Sequence, residues 1–233
     1  MNSRYQLPFH YRLVRPALKA VFRLIFHILG RIKVTGKEHI PYGTAYIVAM
    51  NHISIFDPPL AAAFWPEELE IIGAADVFDK PGQGQILKMY GVLPVHRGEY
   101  DRELMQHAIS ALKSDRPLLI APEGGRSHTT AMRRAKPGIA YLIEKTDVPV
   151  VPVGLVGTTD DFWLRAKRGE RPNLEVRIGM PFRLPPISEK GAARREARQR
   201  NADLVMRHLA GLLPEAYRGV YANSAILSTE TSQ

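Results

Sequence analysis

A histidine and an aspartate five positions apart follow an apolar stretch of the chain. His52 and Asp57 come directly after Tyr46–Met50, which predicts a buried strand. Asp57 followed by Pro58 is typical of a helix N-cap with proline at the first helical position, so we expect a strand-to-helix turn between them. A neutral imidazole held by a carboxylate is a general base near neutral pH. The same pattern is satisfied if Asp57 only caps the helix and His52 is an ordinary polar residue at a strand end.

Three further blocks follow this one along the chain. The sequence Asn-His-x-x-x-x-Asp at 51–57 resembles the first block of the glycerolipid acyltransferases typified by 1-acylglycerol-3-phosphate (lysophosphatidic acid) acyltransferase. Blocks two to four of that family are matched in order by Gly91–Arg97 (GVLPVHR), Pro122–Ser127 (PEGGRS) and Val148–Val153 (VPVVPV). The ordered set spans roughly the middle half of the chain and is far more specific than any one block.

The resemblance implies acyl transfer from a thioester to a lipid hydroxyl. His52 would take the hydroxyl proton as the oxygen attacks the thioester carbonyl, with Asp57 orienting the ring, and no covalent enzyme intermediate is required. Ser54 lacks a G-x-S-x-G elbow and is interpreted as a turn residue.

Two arginines and a pair of glycines are candidates for binding the acceptor. Arg97 and Arg126 fall just beyond apolar strands, on the same sheet edge as His52 if those strands are parallel. Guanidinium groups bind phosphate through paired hydrogen bonds, and Gly124-Gly125 lets backbone N–H groups approach an anion. The resemblance implies that both arginines contact the acceptor phosphate and that Glu123 and Gly124 shape the glycerol site.

The fourth block implies an acyl or acceptor pocket formed by Val151, Pro152 and Val153. Three positions depart from the family pattern, in which threonine is common at Gly125, an aromatic residue at Ala121, and Lys-Glu at Ala75-Asp76. Ala75 removes a positive charge that would help to hold phosphate. The reaction is therefore better defined by the sequence than the acceptor is.

Composition limits the remaining possibilities. A chain of 233 residues suits one domain with a sizeable core. It contains no cysteine, which excludes disulfides and thiolate catalysis and fits a cytoplasmic location. No metal-site spacing such as H-E-x-x-H occurs, so we expect a metal-free site without a cofactor, in which acyl-CoA or an acyl carrier protein thioester is a co-substrate.

The basic character lies at the N-terminus. The formal net charge is +9, and residues 1–37 contain basic residues but no acid. A span from Pro16 to Gly30 predicts an amphipathic helix of about 21 Å, shorter than the ~30 Å hydrocarbon core of a bilayer. We therefore predict that 1–37 lies on the cytoplasmic face of the cell membrane as a peripheral segment; a helix packed on the protein's own core is the alternative. The predicted membrane contacts are Arg15, Lys19, Phe22, Arg23, Ile25 and Phe26.

The rest of the pattern predicts one α/β domain over 38–221. Apolar strands alternate with helices, which predicts a mostly parallel sheet covered by helices on both faces. Pro149 and Pro152 predict that strand Val148–Val156 is an edge or irregular strand. A charged helix is expected over Ser188–Leu213 with a break near Asn201, and 222–233 is expected to be a disordered tail.

The sequence therefore favours a membrane-surface enzyme that converts lysophosphatidic acid to phosphatidic acid. Another lysophospholipid or glycerol 3-phosphate as acceptor keeps the same chemistry. A non-catalytic lipid-binding protein of the same fold is a third reading, although a binding protein would not need the base. A nucleic-acid partner is not expected, because few aromatic residues accompany the basic ones and no nucleic-acid motif occurs.

Overall fold

A computed structural model describes residues 5, 7–96, 101–127 and 129–226. The helices are α1 (Phe9–Leu29), α2 (Asp57–Phe64), α3 (Gln83–Tyr90), α4 (Arg102–Leu112), α5 (Gly138–Thr146), α6 (Phe162–Lys167) and α7 (Gly191–Gly211). The strands are β1 (Arg31–Thr35), β2 (Ile47–Met50), β3 (Glu70–Ala74), β4 (Leu93–Val95), β5 (Leu118–Ile120), β6 (Val150–Val156) and β7 (Asn173–Ile178).

The strands form one sheet in the order β1-β7-β6-β2-β5-β3-β4. Every neighbouring pair is parallel except β6 and β7, which run antiparallel. The predicted mostly parallel α/β sheet is confirmed. Strand β2 lies at the centre, with β5 and β6 on either side, so the turn that follows β2 begins at the middle of the carboxyl edge. Ligands bind at this edge in open α/β sheets.

Strand β6 lies between β7 and β2, so the edge position, one of the two alternatives predicted for it, was wrong. Pro149 lies just before the strand, and its carbonyl accepts a hydrogen bond from the Ile47 N–H at 3.0 Å. Pro152 lies one residue before the antiparallel ladder with β7 begins at Val153, and its carbonyl accepts from the Gly179 N–H at 2.9 Å. Pro149 therefore precedes both ladders. Pro152 pairs with Ala49 inside the ladder with β2 but precedes the ladder with β7.

Helices cover both faces of the sheet, as predicted. Side chains of β2 alternate between the two faces: Val48 and Met50 join a core with α1, α2 and α6, whereas Ile47 and Ala49 join a core with α4, α5 and α7. Strand β2 is buried on both faces, which explains why it appears in the sequence as an unbroken apolar run.

Helix α1 begins at Phe9, seven residues before the predicted start, and carries Pro16 inside it. Two of its basic side chains, Arg15 and Lys19, face the protein. Arg15 is fully buried and donates through both terminal guanidinium nitrogens to the Glu70 carboxylate, each at 2.9 Å, and through Nε to the Tyr90 carbonyl at 2.8 Å. Lys19 is also buried, and its Nζ lies 2.9 Å from the Glu67 carbonyl.

These contacts correct three of the six predicted membrane residues. Arg15 and Lys19 are neutralised inside the protein, and Phe26 is buried in the core against α2. Phe22 is half-buried, whereas Arg23 and Ile25 are exposed. Arg15 and Lys19 face inward because acidic side chains and carbonyl groups of the domain accept their hydrogen bonds.

The side of α1 turned away from the protein is apolar. Five large apolar side chains on this side are more than half exposed, from 52% for Val21 to 72% for Phe9. At about 100° per residue they fall within roughly 120° of one another around the helix. This outward face of α1 consists of Phe9, Leu13, Val21, Leu24 and Ile28.

The C-terminal part is more ordered than predicted. Helix α7 is continuous through Asn201, because the side chain of that residue donates to the Pro185 carbonyl at 2.9 Å and leaves the helix intact. Residues Gly219–Ser224 form a 3-10 helix, and the Ile226 N–H donates to the Arg207 carbonyl. Residues 222–226 therefore pack on the domain, and 227–233 lie outside the described residues.

Candidate active site

His52 and Asp57 meet in the turn between β2 and α2, as predicted. Nδ1 of His52 lies 3.1 Å from Oδ2 of Asp57. The aspartate side chain is fully buried and the imidazole is 15% exposed. Because an ionised carboxylate only accepts hydrogen bonds, the proton of a neutral imidazole is placed on Nδ1. Nε2 then keeps its lone pair as the basic nitrogen.

Asp57 closes the turn rather than capping α2. Its Oδ2 accepts the N–H groups of Ile53 at 2.7 Å and Ser54 at 2.6 Å, both of which precede the helix. Its Oδ1 accepts the hydroxyl of Thr158, from the loop after β6. Pro58 lies in the first turn of α2, where a missing N–H costs nothing, as predicted. The carboxylate is fixed by hydrogen bonds from two segments of the chain, the turn after β2 and the loop after β6.

Two buried polar side chains attach this turn to the neighbouring strands. Asn51 donates to the Leu155 carbonyl at 2.9 Å and accepts from the Leu155 N–H at 2.7 Å, which extends the pairing of β2 with β6. Glu123 accepts the His52 N–H at 3.0 Å on one oxygen and the Arg133 N–H at 2.8 Å on the other. Burial raises the pKa of Glu123, although both N–H groups oppose that shift. Glu123 therefore holds the backbone around the site.

A cavity of about 960 Å³ opens beside His52. Its lining is mainly apolar and comes from helices α1 to α5 and strands β3 to β5, for example Phe22, Leu87 and Leu104. The end beside His52 is polar, because the loop after β5, which contributes Glu123 to Arg126, is hydrogen-bonded to the backbone of His52 through Glu123 and Ser127. Lys19, Gln83, His96 and Asp101 add polar groups elsewhere in the lining. The site thus joins a basic nitrogen to a long apolar space.

Positive charge surrounds the polar end of the cavity. Arg126 and Lys136 line it, and neither has an ion-pair partner within the described ranges. Arg133 also lines it, and its guanidinium donates to the Gly125 carbonyl at 2.6 Å. The 131–137 segment was not identified from the sequence. The Lys136 N–H donates to the Pro122 carbonyl at 2.7 Å and fixes the segment against the loop.

The remaining predicted site residues are placed as follows. Gly124 has a φ of 68°, a conformation that favours glycine, and faces the Lys136 side chain. Ala121 and Gly125, two of the departures from the family pattern, line the cavity, so a small side chain at 121 enlarges it. Arg97 lies outside the described residues.

The predicted pocket of Val151, Pro152 and Val153 is not part of this cavity. Strand β6 is surrounded by β2 and β7, and all three residues are buried in the sheet. Val151 and Val153 belong to the hydrophobic core. Their apolar character is explained by this central position, which a motif alone does not reveal.

The fold and this site define an α/β protein with a histidine–carboxylate pair at the polar end of an apolar cavity. A family model described as Acyltransferase matches residues 31–156, more than half of the chain. The protein belongs to the acyltransferase family.

Relatives with described activities are distant in sequence. Human 1-acyl-sn-glycerol-3-phosphate acyltransferase alpha is 26% identical over 164 residues, which cover 69% of this chain and 56% of that protein. The 1-acyl-sn-glycerol-3-phosphate acyltransferase of Bacillus subtilis is 26% identical over 194 residues, covering 80% of this chain and 92% of that protein. The chain spans just over half the length of its mammalian relatives.

A solved structure shares the fold. The crystal structure of the 1-acyl-sn-glycerophosphate (LPA) acyltransferase PlsC from Thermotoga maritima superimposes with a TM-score of 0.60 at 23% sequence identity. The match covers 84% of this chain and 79% of that chain.

Proposed function

We propose that this protein transfers a fatty acyl group from a thioester to the free hydroxyl of lysophosphatidic acid and so forms phosphatidic acid. The observation that carries the proposal is the His52–Asp57 pair at the cationic end of a largely apolar cavity. The names of the relatives favour this acceptor over other lysophospholipids.

His52 acts as the general base in this proposal. Nε2 takes the proton of the acceptor hydroxyl as its oxygen attacks the thioester carbonyl, and Asp57 stabilises the imidazolium that forms. The thiolate of the donor leaves and takes up the proton from the His52 imidazolium, which returns the base to its neutral form. The donor is acyl-CoA or acyl carrier protein, and no cofactor is invoked.

The acceptor phosphate binds the cations around the loop after β5. Arg126 supports this role because it faces the cavity without an ion-pair partner among the described residues, and an arginine binds phosphate through two parallel hydrogen bonds. We assign Arg97 the same role from the family block. Gly124 and Gly125 leave room for the glycerol portion, and Glu123 fixes the loop that surrounds it.

The apolar space receives the acyl chains. Its volume of about 960 Å³ is at the upper end of the ~300–1,000 Å³ typical of small-molecule sites. Because α1 supplies part of the wall through Leu18 and Phe22, the same helix separates the chain-binding space from the surroundings.

The outward face of α1 rests on a lipid surface in this proposal. No helix in the described part of the chain has the length and hydropathy needed to cross a bilayer. An exposed apolar helix face flanked by basic residues instead lies in the interface plane. Arg12 is exposed beside the outward face and would attract anionic headgroups on the cytoplasmic side. Arg23 is also exposed, but its Nε donates to the Ala63 carbonyl.

The test is turnover of a panel of acceptors. The purified protein is incubated with lysophosphatidic acid, other lysophospholipids and glycerol 3-phosphate, each with acyl-CoA and acyl carrier protein donors, and products are identified by mass spectrometry. Phosphatidic acid as the main product supports the proposal. A different esterified acceptor would replace lysophosphatidic acid, and absence of any ester product would point to a lipid-binding role.

A further inference from the structure

Thr158 is a fully buried polar residue that none of the four sequence blocks contains. It lies in the loop after β6, two residues beyond the end of the family match at residue 156. Its hydroxyl donates to Oδ1 of Asp57 across a sequence separation of 101 residues. Thr158 therefore reaches the catalytic turn only through the fold.

The backbone before Thr158 is built to place it there. Gly157 has a φ of 96°, and a Cβ at that position would lie 2.1 Å from the Asn173 carbonyl oxygen. No other residue type fits this bend without moving β7. The bend carries the chain from the end of β6 back toward the turn after β2. The two turns are close because β2 and β6 are parallel and end at the same edge of the sheet.

The two carboxylate oxygens of Asp57 accept hydrogen bonds from different groups. Oδ2 faces His52 Nδ1 and the two backbone N–H groups of the turn. Oδ1 receives one donor from the described residues, the Thr158 hydroxyl. Without that donor, a buried carboxylate oxygen would lack a partner, and rotation of the carboxylate would compete with the hydrogen bond to His52.

We propose that Thr158 is a positioning residue for the His52–Asp57 pair, and this inference rests on the base role proposed for His52. The hydroxyl holds Asp57 so that Oδ2 stays directed at Nδ1. The imidazole then presents Nε2 to the cavity in each turnover. Thr158 is fully buried and does not line the cavity, so its effect passes through Asp57.

The steady-state test compares three substitutions. Thr158→Val keeps the shape and removes the hydroxyl. It should lower kcat about ten- to a hundredfold, which does not exceed the lower end of the ~10²–10⁴-fold contribution of a whole general base, while KM for both substrates stays within about twofold. Thr158→Ser restores the donor and should recover kcat to within about threefold. Thr159→Val, which removes a half-exposed hydroxyl bonded to Asp161, is the matched control and should resemble wild type.

A spectroscopic test does not depend on turnover. In protein labelled with ¹⁵N-histidine, the Nδ1–H signal of His52 is identified by its loss in His52→Ala. Thr158→Val should shift or broaden that signal, and Thr158→Ser and Thr159→Val should leave it in place. If Thr158→Val does not fold, Thr158→Ala is measured in its stead, since its smaller side chain avoids an apolar contact with the carboxylate.

The two tests separate the inference from the proposed reaction. Unchanged kcat together with an unchanged His52 signal in folded Thr158→Val would overturn the positioning role. A wild-type protein that esterifies no acceptor would overturn the proposed reaction, while the His52 signal would still decide whether Thr158 orients the pair. Equal rises in both KM values with constant kcat would indicate a packing role and also overturn the inference.

Discussion

Replacing Arg15 by methionine should destabilise the whole domain, although Arg15 belongs to a helix with an exposed apolar side. The guanidinium is 0% exposed, and its fork of hydrogen bonds to Glu70 joins α1 to β3. A third bond to the Tyr90 carbonyl joins the helix to the end of α3. The substitution keeps most of the side-chain volume but leaves Glu70 with a buried charge and fewer partners.

The size of the destabilisation follows from the buried charge that remains on Glu70. Removing one partner of a buried ion pair costs about 3–5 kcal/mol. Glu70 retains Arg116 and the Tyr5 hydroxyl, so we expect the lower end, about 3 kcal/mol. A domain of this size loses about 2–4 °C in Tm for each kcal/mol, which gives a fall of roughly 6–12 °C.

The measurement is thermal and urea unfolding beside two controls. Arg12→Met changes an exposed arginine three residues earlier on the same helix and should move Tm by less than about 2 °C. The double variant Arg15→Met/Glu70→Gln removes the stranded charge and should be less destabilised than the single one. A Tm for Arg15→Met equal to that of Arg12→Met would refute the argument.

The destabilisation caused by Arg15→Met should also depend on pH in a defined direction. Burial alone would raise the pKa of Glu70, but the hydrogen bonds and charge of Arg15, with those of Arg116, hold it below the ordinary value of 4.5. A depressed carboxyl pKa contributes stability above the unfolded pKa and loses it as pH falls through the folded pKa. The gap in stability between wild type and Arg15→Met should therefore narrow on acidification below about pH 4.

Three further predictions concern activity and lipid binding. His52→Ala should abolish transfer, and Asp57→Asn should lower kcat by about 10²–10⁴-fold, because both remove the oriented base. Arg126→Ala should weaken binding of a phosphate-bearing acceptor by about 1.5–3 kcal/mol, measured as acceptor KM, with little change for the donor. Leu24→Asp combined with Ile28→Asp should reduce co-sedimentation with anionic vesicles, because both charges fall on the outward face of α1, and binding of the wild type should weaken at high salt.

Each of these predictions has a control. Circular dichroism must show a native fold for His52→Ala, and near-normal turnover by that folded protein would contradict the base role. Arg168→Ala removes an exposed arginine remote from the cavity lining and should leave acceptor KM unchanged; equal effects of the two arginine variants would remove the phosphate assignment. Val220→Asp, the control for lipid binding, introduces one charge at an exposed apolar residue elsewhere. If the Leu24→Asp/Ile28→Asp variant binds vesicles as strongly as wild type, any lipid contact lies on another surface.

Local patterns were sufficient for the turn that joins His52 to Asp57 and for most of the sheet. The apolar run before His52, the proline after Asp57 and the alternation of strands with helices gave the turn and the parallel sheet. They could not reveal that Asp57 folds back onto Ile53 and Ser54, because the same residues are compatible with a helix cap. Thr158 carries no sequence signal, since its partner is about a hundred positions away.

The orientation of α1 was outside the reach of periodicity. A helix with one basic and one apolar side has the same pattern whichever side faces the protein. Its orientation depends on Glu70, which lies 55 residues away and in the sequence resembles any acidic residue at a strand start. In the same way, the strand order that places β6 beside β2 depends on contacts that are distant in sequence. The two prolines of this segment therefore indicated an edge strand, although the strand is central.

The arrangement of β2 at the centre of the sheet has a consequence for the order in which the chain matures. The bonds that fix the turn after β2 close intervals of 104 residues to Leu155, 71 to Glu123 and 101 to Thr158. Contacts this distant in sequence form late, because long loops must close first. During synthesis from the N-terminus, His52 emerges more than a hundred residues before Thr158. A nascent chain therefore carries His52 long before Asp57 and its partners can hold the imidazole, so the proposed base is assembled only after β6 has paired with β2.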